Sequence, residues 1–198
     1  MSVLGAPNAR ASLSSSAANP ARFDVCQYSD DDTIQDRQHK RSTGEGLFVG
    51  TDGQGGISDI SRYTDWDTDW DLIVPGSWGR GSRTGLLFYK RSTGEGLFVG
   101  SDRQGGITEV RRHTDWDQDW DVIVPLKPRG VVGGDLIGGF TALLFYKRST
   151  GEAMVTEASA DGNLTVHAQF TDWDQDWKLI VPGRFGRAHS LNDLLLYK

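Results

Sequence analysis

Aspartate and tryptophan alternate in a motif that occurs three times in the 198-residue chain. The copies lie at residues 64–75, 114–125 and 171–182, and each reads Thr-Asp-Trp-Asp-x-Asp-Trp before an apolar Ile-Val-Pro segment. Carboxylates accept hydrogen bonds from hydroxyl groups, and an indole ring offers a flat apolar face. A sugar presents both hydroxyls and C–H faces to such a pair. The motif therefore favours carbohydrate, free or on a glycoprotein, as the ligand.

The first half of each copy holds the candidate ligand-binding residues. They are Asp65, Trp66 and Asp67, then Asp115, Trp116 and Asp117, and finally Asp172, Trp173 and Asp174. The alternative is structural, because a Trp buries about 150–250 Å² in a core and the acids can cap a tight turn by accepting backbone N–H bonds. We expect burial for the second Trp of each copy, which adjoins the apolar segment: Trp70, Trp120 and Trp177. For the first Trp, binding and burial both remain open.

Repetition argues against catalysis. A catalytic site needs one asymmetric set of residues, whereas this chain repeats polar and aromatic residues alike. His189, Ser190 and Asp193 include the residue types of a hydrolase triad, but no nucleophile-elbow motif surrounds Ser190. We expect a non-enzymatic binding module without cofactor or metal, whose three weak sites act together through avidity. The rival functions are a structural or protein-interaction module, and an enzyme with a single cleft.

Bulk composition disfavours several classes of protein. The net charge is −6 and the pI about 5.1, and the basic residues recur as Lys-Arg pairs among acids, so we expect no nucleic-acid partner. No apolar run approaches the ~20 residues that span a bilayer. Cys26 is the only cysteine, so no intrachain disulfide can form. The N-terminus shows no signal peptide, which leaves the localisation open, and nothing in the composition excludes an oligomer.

Short strands are the elements that would position these residues. Turn-forming Gly and Asp separate four segments in the first repeat, at 46–49, 57–63, 70–74 and 86–89. The third repeat keeps this plan at 154–157 and 164–169. No segment of roughly 11 to 18 residues carries apolar residues at helical spacing. The sequence predicts an all-β fold without a substantial helix.

Self-similarity sets the domain organisation. Residues 40–50 and 90–100 are identical, and their opening Lys-Arg-Ser-Thr-Gly-Glu returns at Lys147. The repeats of the predicted domain span 40–89, 90–146 and 147–198. The second repeat is longer because of an insertion within 126–140, and a repeat with fixed strands tolerates such a loop.

The remaining segments carry less pattern. We interpret residues 1–39 as a flexible leader and a degenerate partial repeat, in which 23–28 alternates like a strand. Each Lys-Arg-Ser-Thr-Gly-Glu segment is expected to form a solvated hairpin with a Lys/Arg–Glu pair. The Asp-Gly-Gln-Gly-Gly segment that begins at Asp52 is expected to form a plain turn.

One pattern points to a known family. Ile-Val-Pro-Gly-x-Phe-Gly at 180–186 and Asn-Asp-Leu-Leu-Leu-Tyr at 192–197 resemble the FG-GAP/VCBS type of repeat. That resemblance implies blades of a β-propeller, in secreted or surface-exposed modules that bind partners or carbohydrate. The calcium loop of the family is replaced by arginine-bearing loops at 79–84 and 186–191. A calcium ion takes six to eight oxygen ligands, so we expect no structural calcium.

The repeat count points to a second architecture. Three repeats of four strands give the twelve strands of a β-trefoil with three pseudo-symmetric repeats, whereas the motif favours a small, closed, propeller-like fold of four-stranded units. The last strand, at 194–198, ends where the repeat at Lys40 begins. Pairing of that strand with the first repeat would close the ring and leave no open sheet edge.

Overall fold

The computed structural model of the protein describes residues 39–40, 43–78, 84–102, 104–126, 141–183, 185 and 193–198. Strands make up 57% of these residues and no helix occurs among them, which confirms the all-β class. Several expectations fall outside the described residues: the leader with its strand at 23–28, the insertion beyond Leu126, His189 and Ser190, and nearly all of both arginine-bearing loops.

The described strands are two to seven residues long. In chain order they are β1 (His39–Lys40), β2 (Glu45–Thr51), β3 (Ile57–Tyr63), β4 (Leu72–Gly76), β5 (Gly85–Lys90), β6 (Glu95–Ser101), β7 (Ile107–His113), β8 (Val122–Leu126), β9 (Thr141–Tyr146), β10 (Ala153–Ala158), β11 (Leu164–Phe170), β12 (Leu179–Gly183) and β13 (Asp193–Tyr197). The prediction at 57–63 coincides with β3, and the others lie within two residues of the observed ends. The largest shift is at β4, because Trp70 belongs to the preceding loop.

The strands form four antiparallel sheets, each of which follows the chain as a meander. The first sheet holds β1 to β3, the second β4 to β7, the third β8 to β11, and the fourth β12 and β13. A four-stranded sheet therefore combines the last two strands of one sequence repeat with the first two of the next. The Asp-Trp segments consequently carry the chain from one sheet to the following one.

The core fills the spaces between successive sheets. Successive side chains of a strand point to opposite faces, and β5 is buried along its whole length. Leu86 and Phe88 pack in the cluster shared with the first sheet. Leu87 and Tyr89 pack in the cluster shared with the third sheet. A strand such as β5 is apolar on both faces because a sheet covers each of them.

The first strands of the last three sheets are neighbours, since β8 contacts both β4 and β12. Each is an edge strand of its sheet and carries a proline: Pro75, Pro125 or Pro182. Proline lacks the N–H that an inner strand donates to both neighbours, so an edge strand is where it fits. The Ile-Val-Pro segments thus line the side on which the sheets converge.

A β-bulge occurs at the same position in every sequence repeat. The register shifts after Phe48 in β2, after Phe98 in β6 and after Val155 in β10. A bulge adds one unpaired residue to one strand and increases the local twist. The three sheets are therefore distorted alike, which lets them stack with similar geometry.

The turn after β2 has the expected plain form. One carboxylate oxygen of Asp52 accepts the N–H groups of Gln54 and Gly56, at 2.8 and 2.9 Å. These two bonds lower the pKa of the Asp52 carboxyl. Gly53 and Gly55, with φ of 73° and 100°, supply the two residues of the turn with positive φ.

Closure of the sheets into a ring is not shown. No closed barrel occurs among the described residues. Within that part of the chain, β13 pairs with β12 alone and β2 pairs with β1 and β3. Pairing of the last strand with the first repeat stays a prediction, and so does the choice between propeller and trefoil.

Candidate binding loops

Three loops contain the candidate residues, and we call residues 64–71, 114–121 and 171–178 the Asp-Trp loops. The first two are anchored at their first Trp. The N–H of Trp66 donates to the carbonyl of Gly44, and that of Trp116 to the carbonyl of Gly94, both at 3.1 Å. At Gly94 the φ is +70° and an added Cβ would lie 2.0 Å from the Trp116 carbonyl oxygen. Only glycine fits there, so the Ser-Thr-Gly hairpin and the loop are matched in shape.

The second Trp of the loop is a core residue in two copies. Trp70 is 5% exposed and Trp120 is 4% exposed, whereas Trp177 is partly buried. The rings of Trp70 and Trp120 pack against Phe88 and Phe145. The expectation of burial is confirmed at the first two positions. Trp177 lies beside the two-stranded sheet of β12 and β13, whereas Trp70 and Trp120 lie beside four-stranded sheets.

A buried lysine lies over each of these two core rings. Lys147 is the clearest case, with its ammonium 4.6 Å from the centre of the Trp120 ring. The same ammonium pairs with the carboxylates of Asp117 at 2.7 Å, Asp119 at 3.1 Å and Glu152 at 2.9 Å. The Lys147 side chain is 8% exposed. The acids of the loop therefore neutralise a cation that the fold has removed from water.

The other copies repeat this arrangement in whole or in part. Lys90 pairs with Asp67 at 3.1 Å and Asp69 at 2.9 Å, and Lys198 pairs with Asp174 at 3.4 Å. The expected pair with glutamate is present, since Lys90 lies 3.7 Å from Glu95 and Lys147 lies 2.9 Å from Glu152. The expected solvation is wrong for both lysines, each of which is 7% exposed. The physical reason is the aromatic ring below each ammonium and the acids around it, which replace water.

Burial and pairing act on the Lys147 ammonium in opposite directions. Burial alone lowers the pKa of Lys147, because it disfavours the charged form. The hydrogen bonds that the ammonium donates to Asp117, Glu152 and Asp119 together outweigh that effect, and the pKa of Lys147 is raised above its usual value. The lysine is therefore held as a cation in the folded protein.

The residues on either side of the lysine hold the next loop along the chain. The hydroxyl of Tyr89 donates to the carbonyl of Asp117. The guanidinium of Arg91 donates to the carbonyls of Trp120 at 3.1 Å and Asp121 at 3.0 Å. Burial raises the pKa of Tyr89 to about 12. The Tyr-Lys-Arg segment thus joins two Asp-Trp loops, its lysine binding one and its tyrosine and arginine the other.

The first Trp of each loop is partly buried among other rings. Trp66 stacks on Tyr63, with 5.2 Å between ring centres. Trp116 stacks on His113 at 5.1 Å and lies nearly parallel to Tyr89 at 6.2 Å. These neighbours occupy much of the indole surface that a sugar ring would need. The first Trp therefore belongs in large part to the packing of its loop.

The first acid of each loop behaves differently from the second. Asp65, Asp115 and Asp172 are all exposed. Within the residues that the structure describes, no hydrogen bond or ion pair engages their carboxylates. The second acids pair with lysine yet remain accessible, with 60% of the Asp67 side chain exposed. Contacts among the described residues therefore account for the second acid of the loop but not for the first.

The structure places each predicted triplet on its own loop, at the crossing from one sheet to the next. A shallow cavity of about 340 Å³ lies beside the first loop and is lined by Thr68, Asp69, Trp70, Asp71, Arg91 and Ser92. In the described part of the chain, no three His, Cys, Asp or Glu residues are grouped so as to hold a metal ion. Nor does that part of the chain contain a helix of the length and apolarity that crossing a membrane requires.

Sequence reasoning missed the lysine and tyrosine that organise these loops. Lys90 precedes the motif that starts at Thr114 by as many residues as Lys147 precedes the motif at Thr171, and this constant spacing was the available signal. A lysine beside a turn is ordinarily solvated, so its burial could not be read from its type alone.

Comparison with protein-family models, with curated proteins and with solved structures found no match to this chain.

Proposed function

We propose that this protein is a non-enzymatic binding module whose Asp-Trp loops form equivalent sites for hydroxyl-rich ligands, carbohydrate or glycoprotein. The first acid of each loop carries the proposal. Asp65, Asp115 and Asp172 keep their identity in all three copies, although no contact within the described residues requires it. A solvated residue without a role is free to change, as the exposed Thr68 is replaced by Gln118 and Gln175 in the other two loops. Hydrogen bonding to a ligand outside the chain would explain why all three copies keep an aspartate at this position.

The surroundings of these acids support a preorganised site. The loop backbone is fixed by the first Trp at Gly44 or Gly94, and the second acid is held by its lysine. A carboxylate on a rigid loop loses little conformational freedom on binding. We assign hydrogen bonding to the acids, and apolar contact with the ligand to the remaining open surface of Trp66, Trp116 and Trp173.

Three equivalent sites on one chain allow multivalent binding even when each single site binds weakly. One carboxylate pair with part of an indole is a small contact area, for which low single-site affinity is expected. Three such sites on one chain would gain roughly 10²–10⁴ in apparent affinity on a surface that presents many copies of the ligand.

For the architecture, we propose a propeller-like arrangement in which each sheet is a blade. Three features support it: meander sheets, stacking of successive sheets face to face, and neighbouring first strands that carry Ile-Val-Pro. The resemblance to FG-GAP/VCBS repeats points to the same arrangement. The β-trefoil remains the alternative on repeat count.

A glycan array with two matched triple variants tests the proposed function. In the first variant, Asp65, Asp115 and Asp172 are changed to Asn. We expect it to keep the wild-type melting temperature and to lose glycan binding, since no hydrogen bond or ion pair engages these carboxylates within the described residues. Single changes should weaken binding stepwise through lost avidity.

The matched control changes the second acid of each loop to Asn, at Asp67, Asp117 and Asp174. This variant should melt at a lower temperature, because each lysine loses a partner. Unaltered glycan binding by the first variant would exclude those acids as the site.

A structural or protein-interaction module is the second candidate. It is favoured by the lysine clusters and by the packing of Trp66 and Trp116, which give most loop residues a role in joining sheets. Wild-type protein that binds no glycan on the array, while remaining folded, would favour this function over the first.

A further inference from the structure

Two Asp-Gly pairs occur in the chain, at residues 52–53 and 161–162. An aspartate followed by glycine is able to form a cyclic imide, because glycine has no side chain to shield its backbone nitrogen. That nitrogen attacks the Cγ of the aspartate, a C–N bond forms, and the carboxyl C–O bond breaks. The amide proton leaves with the carboxyl oxygen as water. Water then opens the succinimide at either carbonyl, which gives aspartate or isoaspartate.

The turn at Asp52 leaves the reacting groups accessible. Residues 51–60 are all exposed, and an added Cβ on Gly53 would have nothing within 4 Å beyond its chain neighbours. Among the described residues, the N–H of Gly53 donates no hydrogen bond. The Asp52 carboxylate is held to the turn by the N–H groups of Gln54 and Gly56. The nitrogen that must attack is therefore free, and the carboxyl group that it attacks stays within the turn.

The same dipeptide in the turn at Asp161 is restrained. The N–H of Gly162 donates to the carbonyl of Ser159 at 2.9 Å, and Gly162 is buried. Its own carbonyl is bound by His113 at 2.9 Å, and the carbonyl of Asp161 accepts from Arg111 at 2.8 Å. Both of these partners lie on β7 of the preceding sheet. Ring closure at Asp161 would have to break the bond to Ser159 and rotate a peptide that β7 holds.

The second repeat offers a turn with the hydrogen bonds but without the glycine. Asp102 accepts the N–H groups of Gln104 and Gly106, both at 2.7 Å, as Asp52 does with Gln54 and Gly56. It is followed in sequence by Arg103 instead of glycine. A side chain on the residue after an aspartate hinders ring closure, so the three turns differ in the two features that the reaction requires.

We propose that Asp52 is a site of spontaneous isomerisation, at which the folded protein converts aspartate into isoaspartate while Asp102 and Asp161 remain aspartate. The reaction needs no enzyme, and water is its only co-reactant. It is independent of ligand binding, because the turn lies at the end of β3 opposite to the Asp-Trp loop at 64–71.

The charge of the carboxyl group does not explain a difference between the two Asp-Gly pairs. The pKa of Asp52 is lowered, chiefly by the bond from the Gln54 N–H, and the pKa of Asp161 is lowered, chiefly by the bond from the Ser159 hydroxyl. An ionised carboxylate loses its oxygen as water less readily, so this effect slows both sites. The contrast between them therefore depends on the glycine N–H and on the cover by β7.

Isomerisation would weaken the first sheet. In isoaspartate the main chain runs through the former side chain, which adds a methylene carbon to the backbone. The carboxylate then no longer stands where the N–H groups of Gln54 and Gly56 converge. We expect the hairpin of β2 and β3 to lose both bonds in modified molecules.

Incubation of the purified chain in mildly acidic buffer, below its melting temperature, tests the proposal. Peptides from timed samples are separated, isoaspartate is identified by its fragment ions, and the succinimide by the loss of one water in mass. Asp52 should be converted at least about 10-fold faster than Asp161, which is roughly the factor that one further hydrogen bond to break supplies. Little conversion is expected at Asp102.

Two controls separate the fold from the local sequence. In denaturing urea, Asp52 and Asp161 should react at similar rates, because the bond to Ser159 and the cover by β7 are lost. Gly53→Arg, which gives the first turn the residue type of the second repeat, should suppress conversion at Asp52 alone. Equal rates at Asp52 and Asp161 in the native protein would overturn the proposal. So would a rate ratio that persists in urea, or unchanged conversion of Asp52 in the Gly53→Arg chain.

Discussion

Replacing Lys147 by methionine tests whether the Asp-Trp loops are held by buried ion clusters. Methionine keeps most of the aliphatic stem, so packing on Trp120 changes little while the charge is lost. Three carboxylates around the ammonium, those of Asp117, Asp119 and Glu152, lose their common cation. The variant therefore isolates the electrostatic part of the cluster.

The magnitude follows from the exposure of the partners. The Asp117 and Asp119 side chains are 56% and 54% exposed, so each pair is credited with only about 0.2–1 kcal/mol, as for surface pairs. The cation–π contact adds about 0.5–1 kcal/mol. The free energy of unfolding should fall by about 2–4 kcal/mol in total, since repulsion among the remaining acids acts in the same direction. For a chain of this length that corresponds to a melting temperature lower by about 4–16 °C.

Lys198→Met is the matched control. Lys198 has Asp174 as its described acidic partner and lies 4.9 Å from the centre of the Trp177 ring. Because that lysine is 51% exposed, we expect a loss below about 1 kcal/mol. Thermal melting followed by circular dichroism distinguishes the two variants.

The pH dependence gives a second readout on Lys147. Its pKa is raised in the folded state, so the stabilisation is fully present below the unfolded value of 10.5 and is lost as the pH rises through the folded value. The difference between wild type and Lys147→Met should be constant near neutral pH and shrink under alkaline conditions. Equal melting shifts for Lys147→Met and Lys198→Met would refute the view that burial and acid count set the strength of the cluster.

Three further predictions concern the hairpin glycine, a buried tyrosine and calcium. Gly94→Ala should lower the free energy of unfolding by at least about 3 kcal/mol, because left-handed strain adds to a clash with the loop backbone. Gly53→Ala is the control: Gly53 has a φ of 73° and nothing within 4 Å of an added Cβ, so the loss should be only about 1 kcal/mol. Similar losses for the two variants in chemical denaturation would contradict this reasoning. Tyr89 has a pKa raised to about 12, so wild-type stability should fall as the pH rises from about 10, and Tyr89→Phe should show a shallower alkaline decline. Chelator should leave the melting temperature unchanged, and a drop of several degrees would show a structural calcium that the arginine-bearing loops do not predict.

The strands could be predicted well because each depends on a short local pattern. The segment at 57–63 is bounded by a glycine-rich turn and a Thr-Asp pair, and it became β3 without change. Burial of Trp70 and Trp120 followed from their position beside an apolar strand. The sequence singled out the aspartates on both sides of the first Trp. It could not predict that the second aspartate of each loop pairs with a lysine and the first does not, because both are the same residue type beside the same Trp.

The sequence by itself determined the all-β class, the position of nearly every described strand and the residues that recur with the repeat. Only the tertiary structure decided how strands are shared between sheets, since a sheet joins two strands from one repeat to two from the next. It also decided that Lys90 and Lys147 are buried. The physical reason is that pairing, stacking and charge neutralisation depend on residues about 30 positions apart, such as Lys147 and Asp117. A local pattern specifies the conformation of a segment, but the partner that covers it is set by the packing of whole sheets.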